Sequence, residues 1–170
     1  FVLVSAVFTL TFAEGWATSE GSCYAKGDKN ISAGLSMFHL GVYGMFDYGF
    51  HDAISGGGGI GFNGYTNGWW KEYYIPIVVR ASFHPLNLAV LADKVPVRKK
   101  LDPYVGIVTG FIIGNAKWDG IGPEGSSYDV GGFVFREHIG ARFYPSSKFY
   151  LYAEESGAFG WINLGAGLKL

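Results

Sequence analysis

The chain has 170 residues, enough for one domain with a sizeable core. Charged residues make up 16% and aromatics 18%, with 27 glycines, whereas an ordinary soluble domain has about 25% charge and about 7% glycine. A net charge of −1 leaves neither a basic footprint for nucleic acid nor an acidic tail, and the single cysteine, Cys23, excludes an internal disulfide framework and a cysteine-based zinc cluster.

The first stretch, "FVLVSAVFTLTFA", is uncharged and shorter than the roughly 20 residues a membrane-spanning helix needs. It reads as the apolar region of a secretory signal covering residues 1–17, with cleavage after Ala13 or Ala17. Both have a short residue, Thr11 or Gly15, as the third residue back from the cut bond. Residues 18–29 form a lead-in. Cys23 lies there in "TSEGSCYAKG", and Glu20 three positions before it fits a free thiol better than a lipid-anchored cysteine.

From residue 30 onward the recurring signal is alternation, the mark of strands. "NISAGLSM" places Ile31, Ala33, Leu35 and Met37 on one side. "YYIPIVVRASFH" places Tyr73, Ile75, Ile77, Val79, Ala81 and Phe83 opposite Tyr74, Arg80, Ser82 and His84. Eight strands are predicted near 30–38, 42–50, 53–65, 72–84, 103–117, 128–144, 148–157 and 159–170, and "LNLAVLADK" predicts one short turn of helix between the fourth and fifth. Several are long enough to cross a hydrocarbon core, which takes about 9–11 residues.

Within "ISGGGGIGF", Gly56, Gly58 and Gly61 match G-x-G-x-x-G. A phosphate cradle requires a helix to begin at once. The chain continues instead as "FNGYTNGWWKEYYIPIVVR", where Gly64, Gly68 and Pro76 break any helical stripe and aromatic and β-branched residues favour strand. The glycines are better read as spacers. One strand face is continuously apolar while the other alternates glycine with charge, the reverse of a soluble barrel. The predicted fold is therefore an all-β, eight-stranded antiparallel up-and-down transmembrane barrel, apolar outside and polar and glycine-rich inside, spanning 30–170. Gly57, Gly59 and Gly61 offset bulky neighbours in its narrow interior.

In that register the inward charged set is Asp47, Arg80, Arg136, His138, Arg142, Glu154 and Lys169. Buried charges persist when paired, so Arg80, Arg136 and Arg142 are expected to pair with Asp47 and Glu154 and plug the lumen. Two residues resist the scheme. Glu137 falls on the apolar face, which requires a bulge or a position near the membrane interface; Pro76 interrupts the fourth strand and points to a bulge. Trp69, Trp70, Tyr73, Tyr74 and Trp118 cluster at strand ends and predict an interfacial aromatic girdle. With the N-terminus in the periplasm, "TNGWWKE", "WDGIGPEGSSYD" and "ESGAFG" face outward. "PSSK" and the long connection bearing Lys94, Arg98, Lys99 and Lys100 face inward, that basic run reading as a solvated face.

The stretches "GMFDYGFHDAISGGGGIGF", "IPIVVRASFHP", "KLDPYVGIVTGF" and "FYLYAEESGAFGWINLGAGLKL" resemble the small eight-stranded outer-membrane β-barrel proteins of the OmpA-like transmembrane-domain type. The resemblance implies a bacterial outer-membrane location, contact with outer-membrane lipid and lipopolysaccharide, and a protein partner in an envelope assembly. It brings no catalytic residues and no cofactor or metal. The leading reading is a non-enzymatic structural or surface-interaction barrel. Alternatives are a narrow pore or carrier for small molecules and a lipid-modifying enzyme. Such an enzyme commonly sets a Ser and a His two apart on a lipid-facing strand; His39, His51 and His138 have no serine at that spacing, and Ser82 and His84 share the polar face. A soluble lipocalin-like binder would need polar outer faces.

Overall fold

The computed structural model describes residues 16–37, 40–92, 94–118, 120 and 127–170. Most of the segment expected to be a secretory signal, with the expected cleavage point at Ala13, and His39, Asp93 and most of the "WDGIGPEGSSYD" loop lie outside the described residues. Eight strands run in order: β1 (Lys29–Ser36), β2 (Gly41–His51), β3 (Ile54–Asn67), β4 (Trp70–Phe83), β5 (Leu101–Trp118), β6 (Ser127–Phe143), β7 (Phe149–Ser156) and β8 (Gly160–Lys169). Each pairs antiparallel with its chain neighbour, and β1 pairs with β8 to close the barrel.

Alternation explains which side chains face where. Ile31, Leu35, Val42, Phe46, Ile60, Ile77, Val79, Ile107, Phe111, Phe135, Ile139, Leu151 and Leu164 stand exposed on the outside, while Asn30, Asp47, Arg80, Asp102, His138, Arg142 and Glu154 are buried inside. The narrow interior is filled by setting a large residue beside a glycine on the next strand. Tyr43 faces Gly34 and Gly61, Met45 faces Gly59, Tyr104 faces Gly140, His138 faces Gly106, Tyr152 faces Gly165 and Tyr150 faces Gly167. A Cβ at Gly59 would strike the Met45 side chain, and one at Gly61 would crowd Tyr43 and Phe159. Period-two sequence thus becomes an interior filled with polar and aromatic side chains.

The strands are unequal. β5 and β6 run 18 and 17 residues, whereas β1 and β7 have 8 each. The final β6–β7 pair is His138 with Ser156, so Ser127 to Glu137 pair with β5 alone. The upper ends of β3 to β6 form a wall standing beyond the β7–β8 turn.

At the opposite end the lead-in, together with Trp16 and Ala17 before it, folds across the mouth. Trp16 stacks on His51 at 4.8 Å, Ala17 bridges Leu88, and the Thr18 N–H donates to the Asn87 carbonyl at 2.8 Å. The long β4–β5 connection, with its four-residue helix Ala89–Ala92, meets it there. Arg98 is buried and donates to the carbonyls of Thr18, Glu20 and Leu86. It therefore departs from the solvated basic face expected of its run, because the carbonyls of the lead-in and of its own connection need a donor that water does not supply.

Pro76 does not create a bulge. It stays in register with Ile112, and the β3–β4 register is the same on either side of it. The ladder is interrupted toward β3 but not shifted, since proline lacks the N–H but keeps extended geometry. Glu137 is likewise on an unshifted stretch. It points outward next to the last β6–β7 pair, level with the rim where β7 ends.

Candidate functional site

The centre of the lumen is an ion-pair cluster built across one glycine. Gly57 on β3 is the cross-strand partner of both Asp47 on β2 and Arg80 on β4. Without a Cβ between them, Arg80 reaches over the strand and grips Asp47 at both oxygens, Nε to Oδ1 at 2.9 Å and Nη2 to Oδ2 at 2.6 Å. Its remaining Nη1 donates to Glu154 Oε2 at 2.5 Å, which also accepts the Tyr104 hydroxyl at 2.8 Å. Arg142 donates to Asp47 Oδ2 at 2.8 Å and lies over the Tyr104 ring at 4.8 Å. Two guanidinium groups meet two carboxylates, so charges that would each be costly when buried alone are neutralised in place.

A second chain of hydrogen bonds lies toward the lower mouth. Ser55 Oγ is 2.9 Å from His84 Nε2, and His84 Nδ1 is 2.7 Å from Asp102 Oδ1. This is the connectivity of a Ser–His–Asp triad. Ser55 and His84 are each 1% exposed, and the Tyr24 ring lies flat on His84 at 3.7 Å. Tyr24 is held there by its hydroxyl, which donates to the carbonyls of His51 at 3.0 Å and Ile54 at 2.7 Å. Burial raises its phenol above the ordinary tyrosine value. The hydroxyl of Ser55 is thus covered by protein.

Of the residues predicted for the lumen, the structure brings Asp47, Arg80, Arg142 and Glu154 together. His138 faces inward but bonds to Ser82 Oγ at 2.9 Å instead of a charge. Lys169 sits at the lower rim, bound to Asp28 at 2.6 Å and to the Cys23 carbonyl at 3.0 Å, where it ties β8 to the lead-in. Arg136 has the inward parity but not the pairing: it lies beyond the end of β7, exposed, and donates to the Phe135 carbonyl at 3.2 Å. It stands above the last β6–β7 pair, beside Gly157 of the β7–β8 turn, and bonds to its own strand instead of to the carboxylates.

The aromatic girdle also needs correction. Tyr73 points outward and stacks on Phe62 at 6.0 Å, and Trp69 is exposed in the β3–β4 turn. Trp70, Tyr74 and Trp118 have the inward parity. Trp70 meets Trp118 edge-on at 5.3 Å and Tyr128 at 5.5 Å, an aromatic cluster on the inner face of the tall wall.

Sequence reasoning misses Asp102 and the Ser55–His84 contact. It starts the fifth strand at residue 103, two residues late, and so does not place Asp102 in phase with Tyr104. Ser82 stands two residues before His84 on the inward face, but the fold gives each another partner: Ser82 pairs with His138, and His84 with Ser55.

No family model and no curated protein matches the chain. Among solved structures it is similar to OprG of Pseudomonas aeruginosa, at 10% identity and a TM-score of 0.57, covering 88% of this chain and 98% of that one. It is similar to the N-terminal β-barrel domain of Pseudomonas aeruginosa OprF, at 18% identity and 0.54, covering 85% and 98%. Ail, the attachment invasion locus protein of Yersinia pestis, matches at 16% identity and 0.53, covering 85% and 99%. The chain therefore has the fold of the small eight-stranded outer-membrane barrels.

Proposed function

We propose that the protein is an integral outer-membrane barrel of a bacterium, non-enzymatic, serving as a structural or surface-interaction element or as a subunit of an envelope assembly. The observation that carries this reading is the polarity of the strands: aliphatic and phenylalanine side chains outside, paired arginines and carboxylates inside. That order suits lipid outside and a solid core within. Outer-membrane lipid and lipopolysaccharide are then the immediate surroundings. The pore reading is disfavoured because Arg80, Arg142, Asp47 and Glu154 span the lumen with direct bonds. The enzyme reading is disfavoured by the burial of Ser55.

The test is fractionation of the expressed protein, then gel migration of the detergent-extracted material with and without boiling. Membrane extraction with a heat-dependent shift is expected; a detergent-free soluble protein with no shift would refute the barrel-in-membrane reading. On the same sample, a fluorophosphonate probe is expected to leave Ser55 unlabelled. Labelling lost in Ser55→Ala would establish a reactive serine and remove the non-enzymatic assignment.

A further inference from the structure

The sequence permits two signal cleavage points and leaves the choice open, since Thr11–Phe12–Ala13 and Gly15–Trp16–Ala17 both satisfy the small-residue rule. The packing of the lead-in separates them. Trp16 lies parallel to His51, 4.8 Å and 7° apart, and stacks on Phe83 at 6.2 Å. Its carbonyl accepts the Ala89 N–H at 3.0 Å, and Ala17 continues the contact as an antiparallel bridge to Leu88. The Trp16 indole is thus packed on residues at the ends of β2 and β4, and its backbone is paired with the β4–β5 connection. Cleavage after Ala17 would discard this aromatic residue and both backbone contacts; cleavage after Ala13 retains them.

We propose that the Ala13–Glu14 bond is the processing site and that the mature protein begins at Glu14, carrying Trp16 into the lower cap of the barrel. The step is a hydrolysis by a signal peptidase of the exporting cell. The amide C–N bond breaks, the water oxygen goes to the Ala13 carbonyl carbon as a carboxylate, and the nitrogen leaves as the Glu14 amine. A large side chain with stacked partners on two elements contributes to stability, and local signals that agree with the fold are the mark of a native segment. The proposal rests on the reading of the chain as exported.

The experiment is intact-mass analysis of the protein extracted from outer membranes after expression with its own leader. A chain starting at Glu14 is expected. A start at Thr18, or at any other residue, overturns the proposal while leaving export standing; a chain that retains residues 1–13 overturns export and the proposal together. Ala13→Gln should accumulate precursor and Ala17→Gln should be processed normally, and the reverse pattern would overturn the assignment. Independently, refolded chains starting at Glu14 and at Thr18 can be compared by the temperature of the gel shift. The shorter chain is expected to unfold lower by roughly 5 °C, and equal temperatures would refute a structural role for Trp16.

Discussion

The lower barrel and the upper wall of β3 to β6 use the same alternation for opposite ends. Below, the outward residues are Val79, Ile107 and Ile139 and the inward ones Arg80, His138 and Arg142. Above, the outward residues are Thr66, Lys71, Asn115, Lys117, Ser127 and Asp129, while Tyr65, Trp70, Trp118 and Tyr128 take the inner parity. Polarity is exchanged between faces along single strands. Under the outer-membrane reading the exchange marks where lipid ends: below it the outside is apolar apart from Glu137 and Glu155 beside the end of β7, and a closed ring of strands holds paired charges, whereas above it the outside is wet and the inner parity carries the Trp70, Trp118 and Tyr128 ring contacts. A period of two therefore reports two faces, and the surrounding medium decides what each face should be.

Substitutions can break this contrast, and the largest effect belongs to the ion cluster. Asp47→Asn removes the carboxylate that Arg80 and Arg142 share and is expected to destabilise the barrel by about 3–5 kcal/mol, whereas Lys117→Ala in the upper wall should stay within about 0.5 kcal/mol. Urea unfolding monitored by the gel shift measures both; similar costs at the two sites would remove the distinction between a charge-locked base and a solvated wall. Glycines sharpen the same point. An alanine at Gly57 would collide with the Phe46 carbonyl and Asp47, at an expected cost of about 1–3 kcal/mol, while Gly64, whose Cβ would find nothing nearer than 3.8 Å, should accept alanine with little change.

Smaller effects lie at the two extremes of the molecule. Trp118→Ala should loosen the aromatic cluster by about 1 kcal/mol, seen as faster amide exchange confined to the tops of β4 to β6 with the heat shift unaltered. In the lead-in, burial, assisted by the Asp102 charge, pushes the Cys23 thiol up to about 12. The folded protein thus holds the neutral thiol, and this contribution is intact below the free-thiol value of about 8.5 and lost as pH rises toward about 12. Iodoacetamide at pH 8.5 is expected to modify Cys23 slowly in the folded barrel and rapidly after boiling; equal rates would mean the lead-in does not cover the mouth.

Much of the fold is legible in the sequence because it is written locally. Strand periodicity places all eight strands within a few residues, and the glycines of "ISGGGGIGF" mark the crowded stretch beside Asp47 and Arg80. Arg136 shows where local reading stops: its parity is right, but its isolation depends on β7 ending at Ser156. Trp70 and Trp118 show the same limit, since interfacial residue types are expected to face lipid and their register turns them inward. The Ser55–His84–Asp102 chain is invisible in the sequence because its members lie on β3, just after β4 and on β5, and meet through strand pairing alone.

Side-chain alternation, spacer glycines and an apolar outer face come from the sequence by itself, because a strand's two faces are set by a period of two whatever it packs against. Which inward charges meet, where the wall rises above its neighbours and how the lead-in closes the mouth were decided by tertiary structure. Those features depend on register and unequal strand length, and an ion pair forms only between side chains that the closed barrel brings within reach.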